Sequence, residues 1–193
     1  MTTSAPAFSV LVVCTGNICR SPAAEFRLRQ LLGADVAVTS AGLHALVGQP
    51  VDPAMAALLG PGVEGFRARQ VMRADVLAAD LVLVMTAEQR RALSVQAPVA
   101  VRRIFTLLEF AELAELWREA GAAEAGPPAD AALPGQLAEL VAAAPRLRSR
   151  RRGADDVDDP YRRGAEAHAR ALAAIDAAVT GIGRALRTGV AAG

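Results

Sequence analysis

An apolar, β-branched-rich run, Val10 to Val13, leads directly into Cys14-Thr15-Gly16-Asn17-Ile18-Cys19-Arg20-Ser21-Pro22. The spacing predicts a buried strand, a short loop and then a helix, with Ser21 and Pro22 fitting its N-cap and first helical position. If such a loop meets an oxyanion, every residue type in it has a task. The backbone N–H groups of Thr15, Gly16, Asn17, Ile18, Cys19 and Arg20 can converge on one point, where the helix N-terminus adds partial positive charge. Gly16 lets the backbone approach closely or take a positive φ. Arg20 offers a planar fork that grips two oxygens at once, which a lysine cannot. The same field favours the thiolate of Cys14, since helix N-termini and neighbouring cations bring cysteine pKa values from ~8.5 to roughly 3.5–7.5. Ser21 is placed to hydrogen-bond that sulfur and to stabilise it as a leaving group.

A second signal lies far downstream, in Asp158-Asp159-Pro160-Tyr161. By itself Asp-Pro is an ordinary turn initiator. Paired with a nucleophilic cysteine it supplies the missing part, an acid to protonate a departing alcohol or phenol. Asp159, held by the rigid Pro160, is the candidate general acid.

The string from Val13 to Pro22 followed by Ala24-Glu25, together with Asp159-Pro160-Tyr161, resembles the low-molecular-weight protein-tyrosine phosphatase family. Ser40-Ala41-Gly42, Gly48 with Pro50, Asp52-Pro53, Ala68-Arg69-Gln70 and Asp80 to Met85 match in order and approximate spacing, so the resemblance covers residues 8 to 106 and 156 to 187. It implies attack by Cys14 on phosphorus to give a phosphocysteine, phosphoryl binding by Arg20, and proton transfer by Asp159, first as acid and then as base for water. It implies loop support by Asn17 with Ser40 as a partner, and it places Tyr161 against the substrate ring. A histidine usual before Ala-Arg-Gln is Phe66 here, so the loop network must be trimmed or satisfied differently. Ile18 stands where related protein-arginine phosphatases have threonine, and its bulk favours phosphotyrosine over phosphoarginine. The rim near His44 to Leu46 lacks the aromatic residue often found there. Arg162 and Arg163 are either solvated or tolerant of acidic residues around the substrate.

The resemblance also implies the fold, a three-layer α/β domain with a four-stranded parallel sheet in the order 2-1-3-4. Alternating segments agree with it. Strands are expected over Ser9–Val13, Val36–Ser40, Leu81–Met85 and Arg102–Thr106, and helices over Pro22–Leu32, Pro53–Leu59, Ala87–Gln96 and Ala165–Arg187. A ligand belongs beyond the carboxyl ends of such strands, where Cys14 lies. At 193 residues and 53% hydrophobic, the chain is expected to be one phosphatase domain over residues 1–193. Residues 107–156 look like a family-atypical insertion before the acid loop, with helices over Leu107–Ala123 and Leu133–Ala144 separated by Gly126-Pro127-Pro128. Within it, Trp117 reads as a packing anchor. The run Arg146-Leu147-Arg148-Ser149-Arg150-Arg151-Arg152 reads as a solvated loop, or else as a dock for an acidic phosphoprotein.

The net charge of +1 gives no reason to expect nucleic-acid or membrane binding. No stretch approaches the roughly 20 apolar residues that span a bilayer, and no basic residue precedes Arg20, so a cytoplasmic protein is expected. Both cysteines lie in the loop, which excludes a disulfide framework. Cys19 is either a small buried residue or a reversible disulfide partner that protects Cys14. Two cysteines with the distant His44 and His168 make no four-ligand zinc set, and His168 reads as ordinary surface or core. The expected function is phosphotyrosine-protein hydrolysis with no metal or organic cofactor. Its partners would be phosphotyrosine proteins, a tyrosine kinase among them, and the enzyme a monomer or weak dimer. The alternatives are a thiol-dependent arsenate reductase, against which the lack of further cysteines counts, and a noncatalytic phosphoprotein-binding module.

Overall fold

A computed structural model describes residues 7–123 and 132–186. Its strands β1 (Phe8–Cys14), β2 (Val36–Gly42), β3 (Leu81–Val84) and β4 (Ile104–Thr106) form one parallel sheet in the order β2-β1-β3-β4, as expected. The helices are α1 (Arg20–Leu32), α2 (Pro53–Leu59), α3 (Arg73–Ala78), α4 (Ala87–Gln96), α5 (Leu107–Ala123), α6 (Leu133–Leu147) and α7 (Gly164–Leu186). β1 is central and nearly continuously buried, which accounts for its apolar run. Its side chains alternate between two apolar layers. Val10, Val12 and Cys14 face the layer built with Leu28 of α1, Met55 of α2, Phe110 of α5, Leu140 of α6 and Ile175 of α7. Leu11 and Val13 face the other, with Val76 of α3 and Leu93 of α4. Cys14 is therefore carried to the sheet's carboxyl edge on the α1–α7 side.

Several boundaries differ from expectation, each for a local reason. α1 begins at Arg20 with Cys19 as its N-cap, because the hydroxyl of Ser21 is engaged elsewhere. Pro22 sits inside the first turn, where no intrahelical donor is lost. The strand expected from Arg102 starts only at Ile104, since Pro98–Arg103 coil into a short 3-10 segment that buries Ala100. α3 had no apolar period to announce it; its first turn is held by the Met72 N–H donating to the Asp75 carboxylate at 2.8 Å. α6 runs through Pro145 to Leu147 instead of stopping at Ala144. Gly126-Pro127-Pro128 and the last expected residue of α7, Arg187, lie outside the described residues. Among the described residues no helix is long and apolar enough to cross a membrane.

The largest departure concerns the arginine run, which folds back onto α5. Thr106-Leu107-Leu108-Glu109 is a capping box: the Glu109 N–H donates to Thr106 Oγ1 and the Thr106 N–H to Glu109 Oε2, each at 3.1 Å. The buried Glu109 carboxylate also receives Arg148 Nε at 2.8 Å and pairs with Arg90 at 3.5 Å. The Arg148 guanidinium lies 4.8 Å above the Phe105 ring. Arg151 binds Glu112 at 3.0 Å and Asp155 at 2.7 Å, while the backbone N–H groups of Arg152 and Gly153 donate to Glu112. Burial acts to raise the pKa of Glu112, but those N–H groups and Arg151 outweigh it and hold the carboxyl below its usual range. Arg148 and Arg151 are thus internal ties between α5 and the chain approaching Asp159. Trp117 packs half-buried against the core, as an anchor should.

Replacing Glu109 with Gln is expected to destabilise the fold by about 2 kcal/mol, the worth of charge-assisted bonds lost at a buried acceptor. Urea unfolding of the two proteins measures it. Because Glu112 is depressed in the folded state, its stabilisation is present above the ordinary carboxylate range and lost as pH falls through its folded value. The stability difference between the parent and Glu112→Gln should accordingly be full at pH 7 and vanish in strong acid.

Candidate active site

The loop Cys14 to Arg20 owes its shape to carbonyls that are pulled outward. Leu43 N–H donates to Cys14 O at 2.9 Å, His44 N–H to Thr15 O at 2.9 Å, Leu46 N–H to Gly16 O at 3.0 Å and Asp52 N–H to Ile18 O at 2.8 Å. In a trans peptide the N–H of the next residue points the opposite way. The donors of Thr15, Gly16, Asn17 and Cys19 are thereby turned toward the inner side of the loop. The Asn17 N–H reaches Cys14 Sγ at 3.3 Å on that side. The strand register supports the approach, since Cys14 pairs with Gly42, and a Cβ on Gly42 would stand 2.6 Å from Thr15 O.

Asn17, not Gly16, takes the left-handed backbone, with φ of 55°. Its carboxamide is wholly buried and fully used. Nδ2 donates to Ser21 Oγ at 2.9 Å and to Ser40 Oγ at 2.8 Å, and Oδ1 accepts the Arg69 N–H at 2.9 Å. The network that Phe66 put in question is complete without a histidine. Ser21 Oγ lies 2.9 Å from Cys14 Sγ, so the amide also orients the hydroxyl that serves the sulfur.

Arg20 is buried to 3% exposure and faces the downstream acid segment. Its Nη1 donates to Val157 O at 3.0 Å and its Nη2 pairs with Asp159 Oδ2 at 2.6 Å. Its Nε is buried and makes no hydrogen bond among the described residues, leaving a donor for an incoming oxyanion. The acid segment is itself anchored: the Val157 N–H donates to Met85 O at 2.8 Å and Asp156 accepts the Ala87 N–H at 2.7 Å. Asp159 then caps its own turn by accepting the Tyr161 N–H at 3.2 Å.

A cavity of about 150 Å³ collects these groups, lined by Cys14, Ile18, Arg20, Asp159, Tyr161 and the rim residues His44 and Leu46. A cysteine sulfur, a ring of N–H donors, a guanidinium and a carboxyl group bound one space, the set of groups that phosphoryl transfer to sulfur requires. Thr15, Gly16 and Cys19 also border it, whereas Asn17, Ser21 and Ser40 stand behind it as supports. Tyr161 is partly exposed, and the Arg162 guanidinium lies 5.0 Å over its ring. Arg163 borders an adjoining groove that also carries Glu88, Asp156 and Asp158.

Two residues near the site carried no sequence signal. Gln89 links the start of α4 to the loop, with Nε2 donating to Thr15 Oγ1 at 3.1 Å and Oε1 accepting the Met85 N–H at 2.9 Å. His168 is buried with Nε2 3.8 Å from Cys19 Sγ and 3.2 Å from Asp52 Oδ1. Their partners are remote in sequence, so no spacing rule reveals them. Burial first, then the charges of Asp52, Cys14 and Asp159, push the Cys19 thiol up to about 12, against the opposing pull of Arg20. Cys19 is a protonated thiol at neutral pH.

A doubly wound sheet with a cysteine-arginine loop after its first strand and a distant aspartate at the loop's mouth defines a cysteine-dependent phosphatase architecture. A profile described as "Low molecular weight phosphotyrosine protein phosphatase" matches residues 9–118, more than half of the chain, and the chain belongs to that family. It is 42% identical over 104 residues to the probable low molecular weight protein-tyrosine-phosphatase EpsP of Ralstonia solanacearum, covering 52% of this chain and 71% of EpsP. The crystal structure of the tyrosine phosphatase Wzb from Escherichia coli K30 in complex with phosphate superimposes with a TM-score of 0.64 at 26% identity, covering 92% of this chain and 91% of Wzb. The YwlE arginine phosphatase from Geobacillus stearothermophilus shares the fold, with a TM-score of 0.67 at 24% identity over 94% of each chain.

Replacing Asn17 with Ala is expected to cost about 2 kcal/mol, because it strands buried partners, and to lower Tm by roughly 4–8 °C for a chain of this size. Thermal unfolding by circular dichroism reads the loss. Iodoacetamide at neutral pH should label Cys14 and spare Cys19 until the chain is unfolded. Mass mapping of the labelled peptides checks it, and early labelling of Cys19 would contradict its protonated, buried state.

Proposed function

We propose that this phosphatase hydrolyses phosphotyrosine in proteins through a phosphocysteine at Cys14. The observation that carries the reading is the shared cavity in which Cys14, the inward N–H groups, Arg20 and Asp159 face one another. Cys14 sulfur attacks phosphorus, and the bond from phosphorus to the phenolic oxygen breaks. The protonated Asp159 carboxyl transfers its proton to that oxygen, so tyrosine leaves neutral. Arg20 and the loop N–H groups hold the three equatorial oxygens as charge spreads over them. In the second step the Asp159 carboxylate takes a proton from water as its oxygen attacks phosphorus. The bond from phosphorus to sulfur then breaks, inorganic phosphate leaves, and Ser21 Oγ stabilises the returning thiolate. Asn17 and Ser40 act by holding the loop in shape.

The cavity walls support an aromatic ester. Ile18 and Leu46 are apolar, and Tyr161 at the mouth offers a ring face on which a phenyl group can rest. Phosphotyrosine proteins, a tyrosine kinase among them, are the proposed substrates. Residues 107–156 are proposed as an insertion within a single domain over 1–193. Two of its arginines, Arg148 and Arg151, are proposed to brace the acid segment, a reading supported by their ties to α5.

Phosphate release should be followed from phosphotyrosine, phosphoserine and phosphoarginine peptides under reducing conditions, with arsenate-dependent thiol oxidation in parallel. Phosphotyrosine is expected to be preferred by at least tenfold over either alternative, and Cys14→Ser to abolish release. A preference for phosphoarginine, or arsenate reduction without phosphate release, would overturn the proposal. Asp159→Asn is expected to lower kcat by roughly 10²–10⁴-fold for phenyl phosphate. The loss should shrink for phenols whose anions leave without protonation.

A further inference from the structure

Behind the catalytic loop, Cys19, Asp52 and His168 converge from three separate elements. Cys19 is the N-cap of α1, Asp52 is the N-cap of α2, and His168 lies on α7 just beyond the acid segment. Cys19 and His168 are buried and Asp52 is nearly so, and their sulfur, nitrogen and oxygen atoms all lie within 4.8 Å of one another.

The tautomer of His168 can be read from its neighbours. Nδ1 faces the carbonyl oxygen of Gly164 at 2.8 Å, and a carbonyl only accepts, so Nδ1 carries the proton. In the neutral ring Nε2 then points a lone pair at Asp52 Oδ1, 3.2 Å away, another acceptor. The clash is removed by a positive charge between them, a proton that makes the ring an imidazolium paired with Asp52 or a metal ion. A histidine that donates from one nitrogen to a backbone carbonyl and presents the other is the arrangement of a metal ligand. Asp52 Oδ1 is similarly fixed from behind by the Ala54 N–H at 3.0 Å.

Two of the three spacings are those of a tetrahedral ion, the third, from Cys19 Sγ to the Asp52 carboxylate, lying within 4.8 Å. Bonds of ~2.3 Å to sulfur and ~2.0–2.1 Å to nitrogen and oxygen place sulfur and nitrogen about 3.6 Å apart, and nitrogen and oxygen about 3.3 Å apart. The observed separations are 3.8 and 3.2 Å. We propose that Cys19, Asp52 and His168 form a binding site for a thiophilic divalent cation, Zn²⁺ fitting best, distinct from the catalytic sulfur. The sequence-based argument against zinc counted only cysteines and histidines, and Asp52 supplies the third ligand.

On binding, the bond from sulfur to zinc replaces the bond from sulfur to hydrogen, and the proton goes to solvent. The ion then joins the loop, α2 and the first turns of α7, and withdraws Cys19 from thiol chemistry.

Cobalt(II) titration of the reduced full-length chain tests the site, since cobalt reports thiolate ligation and tetrahedral geometry in its absorption. One equivalent should produce the thiolate charge-transfer band and intense visible bands, both bleached by Zn²⁺. Cys14→Ser should keep them. Cys19→Ser should abolish them, and His168→Phe should weaken Zn²⁺ binding at least ~100-fold, beyond what losing a mere supporting group costs. Asp52→Asn, which retains a capping side chain, provides a second variant should His168→Phe fail to fold, and is expected to weaken binding as well. No thiolate band in the parent, or bands lost in Cys14→Ser and kept in His168→Phe and Asp52→Asn, would overturn the proposal.

Discussion

The Asn17 carboxamide holds the catalytic loop to the rest of the molecule. It sits at a left-handed backbone position and joins the loop to Ser40 at the end of β2, to Arg69 on the following connection and to Ser21 in α1. A buried amide of this kind is stabilising only when all its partners are met, and an unmet one is costly. The loop therefore has one conformation that satisfies the amide, and that conformation turns the N–H groups toward Cys14. The packing of β1 between its neighbours sets where the sulfur stands, and the amide sets what surrounds it.

The acid has a separate suspension. Glu109 caps α5 and draws in Arg148, Glu112 gathers Arg151 and two backbone N–H groups, and Arg151 continues to Asp155. From there Asp156 and Val157 are tied to the end of β3 and the start of α4, and Arg20 closes the circuit at Val157 O and Asp159. Charges that look redundant along the chain thus become a series of short tethers leading to one carboxyl group.

The strands and long helices were legible because burial imposes its period on them, and the loop because its residue types have few other uses in that order. Cys14, Arg20 and Asp159 could be named for that reason. What could not be read was set by contacts between distant positions. Arg148 and Arg151 looked solvated because Glu109 and Glu112 lie 39 residues away in sequence but in hydrogen-bond contact with them in space. His168 looked ordinary because neither Cys19 nor Asp52 is near it in sequence. The contact of Ser21 with the sulfur was legible but its displacement from the N-cap was not, and Asn17 took the left-handed backbone that Gly16 seemed made for.

The two loop sulfurs are also coupled through space. Burial is the main cause of the raised Cys19 thiol, followed by the charge of Asp52, and an ionised Cys14 would add to both. Any event that neutralises the first sulfur, such as alkylation or oxidation to a sulfenic acid, lifts that repulsion from the second. Burial remains the larger cause, so the second thiol stays protonated at neutral pH even after its neighbour has been spent.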